Sequence, residues 1–271
     1  MQGRLLAASA LRRRPLDAGW ALCRTAAGAL ADPRQLQGAA GLSWQEVGAP
    51  CTVARALRAS GRLEADGARL DADDWWFRLR FDDAATPAGV RRCRRFGGLA
   101  TLAQAGLNGE PLLDSRNMHL AHDCAVAALR PQGNELLLRF ASLEQALGQR
   151  RPRPRWRTPM VAHQQLRWMR TTLLGRTPGW SPPWPAVGPW RGVELLDVDP
   201  AAVRDLRLRS RVVDGRGELS VRLAVEGAAQ VRLELERGGR VHAVDLAPTG
   251  EPGEHAGTLA IAGAALWWPH T

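Results

Sequence analysis

The sequence predicts an all-β protein built as two successive β-sandwich domains, one over residues 1–198 and the other over residues 199–271. Three observations carry this. Apolar and polar residues alternate in many short runs, the period-2 signature of half-buried strands, while helical spacing is scarce. Tight-turn chemistry separates the runs, most clearly at Asn108-Gly109, the favoured dipeptide of a two-residue hairpin loop. The chain also changes character at Asp197-Val198-Asp199-Pro200, after which runs of nearly equal length follow one another.

In the first domain, Trp75, Phe77, Leu79 and Phe81 fall on one face of a strand, with Trp76, Arg78 and Arg80 on the other. A hairpin is predicted between the run ending at Leu107 and Pro111-Leu112-Leu113. Further strands are predicted over residues 117–124 and 134–140, the second with Leu136, Leu138 and Phe140 on one side, and over residues 193–198. Two short helices are marked by their ends: residues 52–60, with Thr52 as N-cap and Gly61 as stop, and residues 142–147, with Glu144 early and arginines following. A third is predicted over residues 159–168, after an Arg- and Pro-rich run at 149–157 that reads as an extended, solvated segment. The second domain divides into strands at residues 203–213, 218–225, 230–237, 240–246 and 258–261. Their length and spacing are immunoglobulin-like, but such a module needs about seven strands. The second domain is therefore predicted to be incomplete, with an open sheet edge and a tendency to associate.

One stretch stands apart from this regularity. Residues 173–195 hold Trp180, Trp184 and Trp190 among five prolines. Proline donates no ladder hydrogen bond and breaks helix interiors, so the stretch is predicted to be a long, stiff loop. Indoles on such a loop offer broad apolar faces with a polar N–H edge, suited either to stacking on a sugar ring or to closing a sandwich end as core.

Composition excludes more than it identifies. The formal charge of +10 and the isoelectric point near 11.2 would ordinarily suggest nucleic acid or an acidic membrane. Here every basic residue is arginine, lysine and tyrosine are absent, and Ile261 is the only isoleucine, a pattern of GC-rich codon usage rather than of phosphate binding. Neither nucleic acid nor membrane is expected as a partner; no run approaches the 20 or so apolar residues of a membrane span. Cys23, Cys51, Cys93 and Cys124 show no paired or metal-finger spacing and are expected as free buried thiols. The basic run Arg12-Arg13-Arg14 follows the apolar residues 5–11, the wrong order for a secretory signal. A bacterial cytoplasm is the expected location, with the periplasm as the alternative.

No cofactor or metal is expected. His119 and His122 lie three apart in the predicted strand, which turns them to opposite faces. Asp71, Asp73 and Asp74 form an acidic turn before a strand, commoner than a calcium site. Ser181 stands in no Gly-x-Ser-x-Gly elbow, and Gly215-Arg216-Gly217 has no following helix to receive a phosphate.

Pro50-Cys51-Thr52-Val53, Asp74-Trp75-Trp76-Phe77-Arg78, and Phe96-Gly97-Gly98-Leu99-Ala100-Thr101 with Leu107-Asn108-Gly109 follow one another along the chain. After them come Asp114-Ser115-Arg116-Asn117-Met118, Gly133-Asn134-Glu135-Leu136, Gly179-Trp180 through Gly188-Pro189-Trp190-Arg191, and Leu266-Trp267-Trp268-Pro269. In this order they resemble the N-terminal part of family 2 glycoside hydrolases, most closely the β-mannosidase branch. The resemblance implies a galactose-binding-like jelly roll, then an immunoglobulin-like domain, then a catalytic (β/α)8 barrel in the same or an adjacent chain. Retaining enzymes of this kind use two carboxyl groups about 5–5.5 Å apart, which in the family lie on the barrel, so no residue of this chain is expected to be catalytic. The resemblance also implies contact with a β-mannoside through Arg170, Trp180, Ser181 and Trp184. Ser181 stands where the family pattern has an aspartate, and losing a charged acceptor weakens such a contact by about 1–2 kcal/mol. The alternative is a stand-alone carbohydrate-binding or scaffolding sandwich.

Overall fold

A computed structural model describes residues 12–38, 41–63, 69–83, 90–126, 129–152, 155–198, 203–225 and 230–266. The protein is all-β, a jelly-roll sandwich followed by a single five-stranded antiparallel sheet in place of the second sandwich that strand spacing suggested. The chain separates into two compact units, the first formed by Arg13–Pro87 and Arg92–Leu196, the second containing everything from Asp197 onward. The Trp267-Trp268-Pro269 stretch lies outside the described residues.

The larger sheet of the first unit joins β2 (Trp20–Thr25), β3 (Gln45–Val47), β4 (Asp74–Phe81), β7 (Ala103–Leu107), β8 (Glu110–Ser115) and β10 (Asn134–Phe140). Their spatial order is β3-β2-β4-β10-β7-β8. The facing sheet has the order β1-β12-β5-β9, from β1 (Arg12–Pro15), β5 (Arg91–Phe96), β9 (His122–Ala125) and β12 (Val193–Val198). A short pair adds β6 (Leu99–Ala100) to β11 (Gly188–Pro189). The alternation in β4 is realised as predicted: Trp75, Phe77 and Leu79 enter the main core with Leu136, Leu138 and Phe140 of the antiparallel neighbour β10. Phe77 and Phe140 meet edge-on at 5.6 Å. Buried indoles keep their N–H groups bonded, Trp20 to Leu16 O at 2.6 Å and Trp75 to Leu70 O at 2.6 Å, as burial demands. The Asn108-Gly109 hairpin joins β7 to β8 with both residues at positive φ, 53° and 88°, which is the reason that dipeptide serves.

The helices differ in how well their signals held. Thr52 caps α1 (Val53–Ala59) and Ser142 caps α2 (Leu143–Leu147), each side chain accepting a backbone N–H of the first turn. The helix predicted over 159–168 is only a 3-10 turn at Gln164–Trp168. Gln164 explains the shortening, because its side chain bonds the backbone of Thr158 and Val161 and so competes with helical pairing. The strand predicted over 117–124 likewise begins only at His122, after a turn in which the His119 N–H is held by the Asn117 side chain. The Arg91–Arg95 charge run is an inner strand, with Arg92 and Arg94 buried, a placement that composition does not reveal.

In the second unit all five expected strands are present: β13 (Arg204–Val213), β14 (Arg216–Ala224), β15 (Val231–Arg237), β16 (Arg240–Pro248) and β17 (Glu254–Ala262). They form one antiparallel sheet of order β13-β14-β17-β16-β15. β16 pairs along its length with β15 but meets β17 only through Ala247 and Pro248, so the β15–β16 hairpin joins the other three strands at one corner. β17 starts four residues earlier than the 258–261 run suggested, inside a stretch whose Pro and Gly residues read as loop. Val221, Leu223, Val225 and Leu246 form the buried centre of this unit.

Candidate functional site

The loop of residues 173–195 is pinned to the first unit along its length. Before it, the Arg170 carbonyl accepts the Met118 N–H at 3.0 Å, and the Met118 sulfur accepts the Thr172 N–H at 3.0 Å. The Thr101 and Thr171 hydroxyls lie 2.6 Å apart. In its middle, Arg176 forms an ion pair with Asp71, and these two side chains retain only 8% and 9% of their exposure. At its end, the Val187 carbonyl accepts the Val53 N–H at 2.8 Å, Gly188 and Pro189 pair with Ala100 and Leu99, and Trp190 Nε1 donates to the Met118 carbonyl at 2.8 Å. Two glycines are demanded by this packing. A Cβ on Gly98 would sit 2.5 Å from Trp190 Nε1, and a side chain on Gly175, already at φ 80°, would collide with the Trp184 backbone. The Phe96–Thr101 and Gly188–Arg191 motifs, far apart in sequence, are thus two sides of one contact.

The four residues predicted to meet sugar take different positions on this scaffold. Among the described residues Trp180 is the most exposed large apolar side chain, at 77%. Arg170 is exposed, and among the described residues its side chain forms no ion pair. Ser181 Oγ accepts the Gly175 N–H at 2.7 Å, which orients the hydroxyl and leaves its proton to be donated. Trp184 is half-buried against the main core, with the Arg58 guanidinium 5.3 Å from its ring centre. Trp184 thus joins the loop to its support, while Trp180 and Arg170 face outward. Trp190 is a wedge between Gly98 and Met118, capped by Arg191 at 4.4 Å and His119 edge-on at 6.5 Å.

The acidic turn is consumed by arginines. Asp71 holds Arg176, Asp73 holds Arg24 at 2.5 Å, and the fully buried Asp74 holds Arg139 at 2.7 Å and accepts the Ser142 N–H at 2.8 Å. The turn was visible in the sequence, but its role in fastening the loop was not, because Arg176 lies 105 residues away. His122 turns to the Ser115 hydroxyl at 2.9 Å while His119 meets Trp190 edge-on, so the two imidazoles serve separate neighbours. Among the described residues no helix is long and apolar enough to cross a membrane.

A two-layer antiparallel sandwich that carries a pinned, tryptophan-bearing loop defines a galactose-binding-like jelly roll. Residues 34–191 match the family described as glycosyl hydrolase 2 galactose-binding domain-like, and the chain belongs to that family. Beta-mannosidase B of Thermothelomyces thermophilus is 30% identical over 203 residues, covering 72% of this chain and 24% of that protein. Beta-mannosidase B of Aspergillus terreus is 30% identical over 222 residues, covering 78% of this chain and 26% of that one. The crystal structure of a beta-D-mannosidase from Dictyoglomus thermophilum superimposes on 96% of this chain with a TM-score of 0.69 at 19% identity, using 32% of its own length. The chain spans about a quarter to a third of the curated relatives it matches.

Proposed function

We propose that this chain is the non-catalytic N-terminal portion of a β-mannosidase-like glycosidase, and that the loop of residues 173–195 meets the terminal β-mannose at a catalytic barrel in the same or an adjacent chain. The observation that carries this is an exposed Trp180 on a loop whose neighbours are fastened by a buried ion pair, a β-bridge and a sulfur contact. An aromatic face kept in water and held in place loses little conformational entropy when a partner covers it. Trp180 stacks on the sugar, Arg170 and the Ser181 hydroxyl donate to its oxygens, and Trp184 fixes the loop from below. The relatives' names supply the substrate class.

The purified 271-residue chain is expected to release no chromophore from an aryl β-mannoside; release at a rate above the uncatalysed one, lost in no control, overturns the assignment. Mixed with a β-mannosidase barrel stripped of its own N-terminal portion, the chain should raise turnover, and Trp180→Ala should reduce that gain by about two- to tenfold, the loss of roughly one stacking contact. Equal gain with and without Trp180 favours a stand-alone carbohydrate-binding sandwich instead.

A further inference from the structure

A second cleft, of about 300 Å³, opens on the first unit between the β7–β8 hairpin, α2 and the Gln164–Trp168 turn. Its volume lies at the lower end of ligand sites, enough for one or two sugar rings. One wall is apolar, and Trp168 forms its platform: the indole is 46% exposed, and its Nε1 is fixed by the Pro152 carbonyl at 3.0 Å, so the ring edge is held while the ring stays partly open to solvent. The polar wall carries Gln104, Asp114, Arg116, Gln149 and Arg151. Gln104 and Asp114 touch only weakly, at 3.4 Å, and Arg116 approaches Asp114 no closer than 3.9 Å, which leaves this carboxylate and these donors available. A stacking face beside short side chains that both donate and accept is the chemistry of sugar recognition rather than of an apolar ligand.

Charge narrows the class. The cleft's Arg139 is neutralised by the buried Asp74, and the remaining charged side chains of the lining are one carboxylate, Asp114, and two guanidiniums, those of Arg116 and Arg151. Among the described residues Arg151 has no acidic partner. The rim is therefore cationic beyond what a neutral glycan needs. We propose that this cleft binds an acidic sugar, a hexuronate residue of a glycan, with the ring on Trp168 and its carboxylate between Arg151 and Arg116. The proposal is independent of the loop at 173–195 and stands or falls apart from it.

Calorimetric titration of the purified chain with a glucuronate-terminated disaccharide, and with the matching glucose-terminated one, tests it. The acidic sugar is expected to bind at least about tenfold more tightly at low salt, with the margin shrinking as salt screens the rim. Trp168→Ala should abolish binding, Trp168→Phe should restore part of it, and Arg151→Gln should erase the preference for the acidic sugar. Trp168→Ala is to be compared at matched thermal stability; if it fails to fold, Trp168→Phe and Arg151→Gln carry the test. Equal affinity for both sugars, absence of saturable binding, or tighter binding of a single-stranded oligonucleotide of the same charge overturns the proposal.

Discussion

β4 and β15 carry the same alternating pattern and meet different surroundings. In β4 the Trp75, Phe77 and Leu79 face is buried in the main core, while the opposite face is covered at Trp76 by Leu36, Leu137 and the partly buried Leu30, Leu42 and Trp44. In β15, Val231, Leu233 and Leu235 alternate with Arg232, Glu234 and Glu236, yet no residue of the strand is buried. Alternation therefore states which side of a strand is apolar; whether a second layer covers that side is decided elsewhere in the chain. The difference also sets the cost of a charge. In the first unit a carboxylate such as Asp74 has no exposure and must be held by a partner, whereas Arg232 and Asp245 in the second pair at 3.4 Å with most of their surface in water.

Breaking the two ion pairs is the sharpest way to separate the units. Arg139→Met strands the buried Asp74 and is expected to cost about 3–5 kcal/mol in chemical denaturation, against about 0.5 kcal/mol or less for Arg232→Met. Similar losses for both would contradict the layered picture. Arg94 is the counter-example within the first unit. Among the described residues none of its guanidinium nitrogens has a hydrogen-bond partner, it lies over the Phe81 ring at 4.8 Å, and burial pulls its pKa down to about 10. Arg94→Met should leave stability unchanged or raise it, because it removes a buried charge that no hydrogen bond satisfies, and a clear loss would show that Arg94 has a partner role.

Core truncation gives the next largest contrast. Phe77→Ala, which opens a cavity beside Phe140 in a fully buried site, should cost about 3–5 kcal/mol, and Leu233→Ala in the half-open sheet about 1 kcal/mol or less. Hydrogen exchange should follow the same order, with β4 and β10 amides opening last and β15 amides first; the reverse order would break the comparison.

The smallest effect concerns the thiols, all in the first unit. Burial raises Cys23, Cys51 and Cys124 above the ordinary thiol value of 9.0. The folded chain then keeps protons that the unfolded chain releases, so stability should fall as pH climbs past about 9, and above about 10 the depressed Arg94 begins to oppose that loss. Melting curves across this range check the sign. At pH 8 the native chain should also resist alkylation of these three cysteines, while the denatured chain reacts.

How much was legible depended on whether a signal was local. Thr52, Asn108-Gly109 and the faces of β4 and β10 act through neighbours a few residues away, and each was readable in the sequence, whereas Ser142 was read as the first helical residue and is the cap. Trp180 and Trp184 were both visible as indoles on a stiff loop, but nothing local distinguished the exposed one from the half-buried one. The Arg91–Arg95 run misleads for the same reason, since its burial depends on Asp83, Phe81 and a facing sheet.

By itself the sequence determined the all-β class, the strand periodicity, the caps and turns, and the order of motifs that marks the family. Those rest on backbone preferences and side-chain alternation, which are written residue by residue. Only the tertiary structure decided that Asp71 anchors Arg176, that Gly98 makes room for Trp190, and that Trp168 shares a cleft with Arg151. Each of these joins side chains from separate segments, and the energy that selects them, paired charge and close packing, exists only once the layers have met.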